Sequence, residues 1–182
     1  SEIDTKKVQH LAGGFASFLR ISFDFLNTGE LVDITYELEL VKAYLYIEQE
    51  RFRERLAAVW EVDPGIQLRL PPLSIQPLVE NAVKHGILRR HQGGMVRVRI
   101  KRQTEGVLIE VIDNGRGMEA DQVAELLSPA GQALRGIGIP NTNLRLIQMY
   151  GQGLTIISRP GEGTSVSFVI PEHRRLEKKS GN

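Results

Sequence analysis

Four short stretches of this 182-residue chain combine carboxylate, amide, imidazole or hydroxyl side chains with glycine where a strand or helix should end. They are Glu80-Asn81-Ala82-Val83-Lys84-His85-Gly86, Asp113-Asn114-Gly115-Arg116-Gly117-Met118, Arg135-Gly136-Ile137-Gly138-Ile139 and Gly161-Glu162-Gly163-Thr164. Each has an ordinary reading on its own. Asn114-Gly115 is a tight-turn signal, and Gly161 to Thr164 is a hairpin loop. Gly136 and Gly138 either end a loop before a helix or offer backbone N–H groups to a phosphate. Asn81 and His85 stand four apart on one helix face, either as hydrogen-bonded structural residues or as ligands.

Composition narrows the chemistry. With 41% apolar and 25% charged residues, the chain has the balance of an ordinary globular protein, which excludes disorder and collagen-like repeats. No apolar run approaches the ~18 residues of a bilayer-spanning helix, and no basic start with a short apolar stretch marks a signal peptide. With 23 basic against 22 acidic side chains, the net charge of +1 provides no broad field for nucleic acid or an anionic membrane. The absence of cysteine excludes disulfides, thiolate nucleophiles and Cys-held zinc, and accords with a reducing compartment. His10, His85, His91 and His173 form no ligand spacing, which disfavours a metal held by protein side chains alone.

All eight prolines lie at or after position 64 and 15 of the 18 glycines after position 57, so residues 1–57 read as nearly uninterrupted helix. That region holds 7 basic and 10 acidic groups, net −3, against +4 for the remainder. Val8, Leu11, Phe15, Phe18, Leu19 and Leu26 recur at helical spacing up to a break at Asn27-Thr28-Gly29. A second helix is expected with Thr35 as N-cap and Leu38, Val41, Leu45, Phe52 and Leu56 on one face. The two make a helical hairpin whose apolar stripes pack either on the following domain or on a second copy of the chain. Residues 58–171 form the second expected domain, and 172–182 a charged tail.

In that domain, Val59 to Asp63 and Ile66 to Leu70 are expected strands, and Pro71-Pro72 opens a helix running to about His85. Met95 to Arg102 and Val107 to Asp113 pair as strands; in the first, Val96, Val98 and Ile100 alternate with a solvated face of Arg97, Arg99 and Lys101. A short helix over Glu119 to Leu127, a loop of small residues from Ser128 to Gly138 and a helix from Pro140 to Tyr150 follow. Leu154 to Arg159 and Thr164 to Ile170 close the chain as a hairpin. The order predicts an α+β fold, a two-layer sandwich.

Taken together, with roughly 30, 20 and 25 residues between them, the four stretches resemble the nucleotide-binding domain shared by DNA gyrase, Hsp90, the MutL mismatch-repair proteins and two-component sensor histidine kinases. The resemblance implies a Bergerat-type fold, a mixed sheet with helices on one face, and ATP with Mg²⁺ as cofactors. Asn81 matches the asparagine that completes Mg²⁺ coordination, which suits a hard cation that keeps phosphate oxygens and waters. Lys84 and His85, one turn on, are within reach of phosphate or ribose.

Asp113 matches the carboxylate that accepts a hydrogen bond from the adenine amine, while Gly115 and Gly117 keep side chains from under the base. Met118, Ile137 and Ile139 are either apolar neighbours of the base or core. Gly136 and Gly138, ahead of Pro140, resemble the second glycine box, where backbone amides face the triphosphate, and residues 119–135 correspond to the lid. Arg135 either supports phosphate or is a solvated loop charge. Thr164 matches the hydroxyl that supports the aspartate or its water.

In the hydrolytic branches a water-activating glutamate lies four residues before the magnesium asparagine; here that position is Pro77, which has no titratable group. Glu80, about 100° around the helix from Asn81, is the remaining candidate for assisting proton transfer. The run Pro71 to Gly86 resembles the LytS/YehU/YesM-like class of sensor kinases. Glu37-Leu38-Glu39, Tyr44 to Glu48, Arg51-Phe52, Gly138 to Asn141 and Leu144 to Leu146 extend the likeness over nearly the whole chain.

That class is membrane-anchored through an N-terminal sensor and phosphorylates a histidine in an Asn-Pro-His-Phe-Leu-Phe-Asn segment, which this sequence does not contain; His10 lacks its context. The resemblance therefore implies the cytoplasmic C-terminal part of a longer kinase that binds Mg-ATP without autophosphorylating in cis. Its implied partners are a response-regulator receiver domain, its own acceptor-histidine helix and a second copy of itself. The alternatives are a nucleotide-dependent interaction module, anti-sigma-like, and a hydrolytic ATPase of the same superfamily.

Overall fold

The computed structural model describes residues 31–128 and 138–171. The first arm of the expected hairpin, its break at Asn27-Thr28-Gly29, residues 129–137 and the tail lie outside the described residues. Strand β1 (Val32–Asp33), helix α1 (Ile34–Phe52) and a tight turn (Arg53–Arg55) lead into β2 (Leu56–Val62) and β3 (Arg69–Leu70). Helix α2 (Gln76–Asn81) continues as a π turn (Ala82–Gly86) and a 3₁₀ turn (Ile87–Arg89). Then come β4 (Gly94–Gln103), β5 (Gly106–Asp113), α3 (Ala120–Leu127), α4 (Ile139–Tyr150), β6 (Thr155–Arg159) and β7 (Gly163–Pro171).

The main sheet has the order β2-β4-β5-β7-β6, with β2 parallel to β4 and every other pair antiparallel. Its register follows from alternation, because a one-residue slip would turn every apolar side chain to the wet face. One row across all five strands, Trp60, Val98, Val111, Val166 and Ile156, faces the helices. On the opposite face, the arginines and lysine expected to be merely solvated meet acids from their neighbours. Arg99 lies 2.8 Å from both Glu61 and Glu110, and Lys101 2.8 Å from Asp63. These partly exposed pairs each contribute little, but they seal the wet face with charge and leave the helical layer to the other side. The architecture is the expected α+β sandwich.

Helix α1 starts two residues earlier than the sequence suggested. Asp33, not Thr35, is the N-cap: its Oδ1 accepts the Thr35 N–H at 2.9 Å and the Thr35 hydroxyl at 2.7 Å. Ile34, Glu37, Val41, Leu45 and Glu48 form its buried face, and Ile34, Val41 and Leu45 enter the same core as Leu70, Ile75, Leu78 and the sheet. The described arm of the helical region therefore packs on the sheet domain. Leu56 belongs not to this face but to β2, whose parallel pairing with β4 begins there.

Two further expectations change. Only Arg69–Leu70 of the Ile66 to Leu70 run forms a strand, pairing with β1 and so fixing the start of α1. Pro71-Pro72 does not open a helix. Leu73 takes φ 60°, an irregular backbone for a branched residue, and α2 starts at Gln76 with Pro77 in its first turn.

Candidate functional site

Asp113 is the last residue of β5, opposite Thr164 on β7, and its side chain is carried under the C-terminal end of the α2 segment. It is 4% exposed. Among the described residues no cation compensates it; the Gly115 N–H donates to its Oδ1 at 2.7 Å, and the Thr164 N–H also faces the carboxylate. Burial outweighs these two bonds and pushes its pKa up to about 6. Two backbone N–H groups leave this buried carboxylate with spare acceptor capacity.

Glycine makes room for that carboxylate. A Cβ at Gly86 would stand 2.6 Å from Asp113 Oδ1, and one at Gly115 would collide with the Gly86 backbone. Gly117 needs its φ of 66°, and a side chain there would strike the Arg159 carbonyl. Hydrogen bonds tie the same stretches together: Arg116 N–H donates to the Gly86 carbonyl at 3.3 Å, and Gly161 N–H to the Arg116 carbonyl at 2.6 Å. The π turn widens the helix just after Asn81 and brings Gly86 over Asp113, a kind of insertion that recurs at functional sites.

Three of the four stretches thus converge. Of the fourth, Arg135, Gly136 and Ile137 lie outside the described residues; Gly138 is the N-cap position of α4, and Ile139 is buried in the core. Met118 is half-buried beside the cluster. Asn81 ends α2 and is half-buried, whereas Lys84 and His85 are exposed on the π turn. Lys84 Nζ lies 2.8 Å from Glu80 Oε2 and 5.8 Å from the Tyr44 ring centre, and Glu80 Oε1 accepts from Gln76 Nε2 at 3.2 Å. Glu80 is therefore held as an ion pair, with both oxygens engaged. Pro77 occupies the first turn of α2 and supplies no base.

Thr164 meets Asp113 through its backbone, while its hydroxyl pairs with Ser158 Oγ at 2.8 Å. Ser158 also accepts the Met118 N–H at 2.9 Å and donates to the Gly163 carbonyl at 3.0 Å, which uses its one proton and both lone pairs. Sequence reasoning missed Ser158; only the β6–β7 register, which sets it opposite Thr164, could have revealed it. Asn114 was also read too simply. Its side chain accepts the Met95 N–H at 2.7 Å, and Arg90 bonds its carbonyl, so the loop after β5 is fastened to the start of β4.

The donor set suits a neutral heteroaromatic amine at Asp113. It also suits a metal that takes one amide oxygen from Asn81 and the rest from its own ligands. Among the described residues no cluster of three metal-binding side chains exists. Nor is any described helix long and apolar enough to cross a membrane.

Comparison with known proteins gives a consistent picture. A family model described as histidine kinase-, DNA gyrase B-, and HSP90-like ATPase matches residues 73–174, and one described as histidine kinase matches residues 1–56. The chain is 40% identical over 171 residues to the protein YwpD of Bacillus subtilis (strain 168), covering 93% of this chain and 61% of that one. It is 34% identical to the sensor histidine kinase YpdA of Escherichia coli (strain K12), over 91% of this chain and 29% of the relative. With the sensor protein LytS of Oceanobacillus iheyensis the identity is 30%, over 97% and 31%. The chain thus spans under a third of the length of these sensor proteins. Among solved structures, the histidine kinase domain of the Erythrobacter litoralis EL346 blue-light activated kinase superposes with a TM-score of 0.57 at 21% identity, covering 75% of this chain and 63% of that one. The mycobacterial sensor histidine kinase MprB gives 0.56 at 20%, covering 78% and 96%; at these identities the likeness speaks for the fold.

Proposed function

The chain belongs to the histidine kinase-, DNA gyrase B-, and HSP90-like ATPase family, and from that membership we propose that residues 58–171 bind Mg-ATP and transfer its γ-phosphoryl group to a histidine of a sensor kinase. Residues 1–57 then act as the helical dimerisation and linker region, and 172–182 as a solvated tail. The single observation that carries the reading is Asp113: a buried carboxylate, glycine-cradled and, among the described residues, satisfied by two backbone N–H groups, which leaves acceptor capacity on its oxygens.

Each residue then has a defined task. Asp113 accepts the exocyclic amine of adenine, a contact that guanine, with a carbonyl there, cannot make. Gly115 and Gly117 hold the loop close to the base, and Met118 contributes apolar surface beside it. Asn81 would hold Mg²⁺ by its amide oxygen, and Arg135, Gly136 and Gly138 are assigned to phosphate binding. Bound Mg-ATP supplies the phosphoryl group and the charge neutralisation that in-line transfer requires. Lys84 exchanges Glu80 for phosphate, His85 supports phosphate or ribose, and the Glu80 carboxylate released by Lys84 takes the proton of the attacking imidazole. Pro77, standing where the hydrolytic branches carry their base, leaves water unactivated and favours transfer over hydrolysis.

The acceptor histidine comes from an Asn-Pro-His helix outside this sequence, so this chain does not autophosphorylate in cis. From the phosphohistidine the group passes to an aspartate on a response-regulator receiver domain. The test is direct: with an acceptor-helix peptide in trans and γ-labelled ATP, label on histidine supports the kinase. Saturable ATP binding with no label would instead favour a nucleotide-dependent interaction module.

A further inference from the structure

The irregular segment between β3 and α2 is gripped from two sides. From α1, the fully buried Glu37 accepts the Leu73 N–H at 2.5 Å and the Ile75 N–H at 2.9 Å, and the Gln76 N–H also faces it. From α4, Arg145 donates to the Pro72 and Leu73 carbonyls, at 2.8 Å each. Thr142 Oγ1 reaches the Leu73 carbonyl at 3.4 Å, and Ser74 Oγ closes the segment on the Pro71 carbonyl at 2.6 Å. The N–H groups of the loop thus face one helix and its carbonyls another, and attraction between Glu37 and Arg145 spans it.

A buried carboxylate is a costly way to fill space, and a hydrophobic residue of similar volume would serve packing alone as well. What the carboxylate adds is direction. It fixes the backbone immediately before α2, a helix of six residues that ends in Asn81. Arg145 fixes the same backbone relative to α4, which begins at the second glycine box. Asp113, at the other end of the site, hangs on β5 and β7 and touches neither group; it meets the α2 segment at Gly86, at the far end of the π turn from Asn81.

From this division we propose that Glu37 is a positioning residue that couples the placement of α1 to the metal-and-phosphate end of the site and leaves the adenine end alone. The inference rests on the nucleotide reading above and extends it: a displacement of α1, the arm of the helical region docked on the sheet domain, shifts Asn81 through Leu73–Gln76. Glu37 touches no substrate; it acts through the backbone of that segment.

The experiment uses the whole chain with Glu37→Gln, which keeps the shape but sets an NH₂ group against a backbone N–H, and with Arg145→Lys, which keeps the charge but loses the paired donors. Dissociation constants are measured for ATP with Mg²⁺, for ATP in EDTA and for AMP in EDTA. Both variants are expected to bind AMP within about twofold of wild type, while the gain in ATP affinity conferred by Mg²⁺ shrinks about tenfold. A purely structural role would weaken all three ligands together, or none in a variant that melts like wild type; either result overturns the proposal. Should Glu37→Gln fail to fold, Arg145→Lys gives the same readout. If the wild-type chain itself binds no Mg-ATP, the nucleotide reading fails and this coupling falls with it. If wild type binds and both variants keep its full Mg²⁺ gain, the coupling alone is refuted.

Discussion

Replacing Asp113 by asparagine pulls stability and binding in opposite directions. The carboxyl titrates near 6 in the folded protein against 3.8 when free, a difference of about two pH units, worth on the order of 3 kcal/mol. Because the folded value is the higher one, the folded state binds the proton more tightly. Stability that the wild type has below about pH 4 is lost as pH rises through 6. Asparagine carries no charge and escapes that loss, but its single oxygen and its NH₂ cannot satisfy both the backbone N–H groups and an incoming amine. One unpaired donor costs about 1 kcal/mol. The net gain at pH 8 is therefore about 2 kcal/mol, or roughly 4–8 °C in Tm for a chain of this size.

The same substitution should weaken ATP by about 1.5–3 kcal/mol, roughly 10- to 150-fold, since the adenine amine loses its charged acceptor. Thermal melts of both proteins from pH 4.5 to 8, with calorimetric titration of ATP at pH 7.5, give the two numbers. All other ionisable groups are common to the pair, so the difference in Tm isolates position 113. It should be large at pH 8 and shrink steadily below pH 6. A difference that stays flat across this range, or an asparagine variant that binds ATP like wild type, would refute the reasoning.

Other substitutions probe the rest of the site. Asn81→Ala should leave AMP binding unchanged and abolish most of the Mg²⁺-dependent gain in ATP affinity, read by calorimetry with and without EDTA. Ser158→Ala strips partners from the Met118 N–H, the Gly163 carbonyl and the Thr164 hydroxyl; it should cost about 1–2 kcal/mol in urea melts and weaken ATP several-fold. Gly117→Ala forces a left-handed backbone and a Cβ against the Arg159 carbonyl, so a loss of about 1–3 kcal/mol is expected by chemical denaturation.

Much of this was readable from the chain because local pattern and tertiary need agree. The alternation of Val96, Val98 and Ile100 fixed β4, and Asp113 followed by two glycines marked the end of β5. Pro140 and Gly151, whose φ is 73°, bracket α4. What escaped depends on distant partners. The backbone of Pro71 to Ile75 is irregular because Glu37 and Arg145 satisfy it from 36 and 72 residues away, and no local signal encodes that. The π turn after Asn81 lies inside a sequence that reads as plain helix; it is set by the fit of Gly86 over Asp113. Ser158 looked like any strand serine until the register placed it opposite Thr164.

The claim at the centre is that the converged stretches form one pocket for adenine nucleotide. An NMR titration of the ¹⁵N-labelled chain with Mg-ATP tests it most directly, followed in parallel with Mg-GTP. Saturable shifts at Asn81, Gly86, Gly115, Gly117 and Thr164 with ATP, and far weaker ones with GTP, are the expected result. Amides in these stretches that stay still, while shifts gather on the charged face around Arg99 and Glu110 or are equal for both nucleotides, would contradict it.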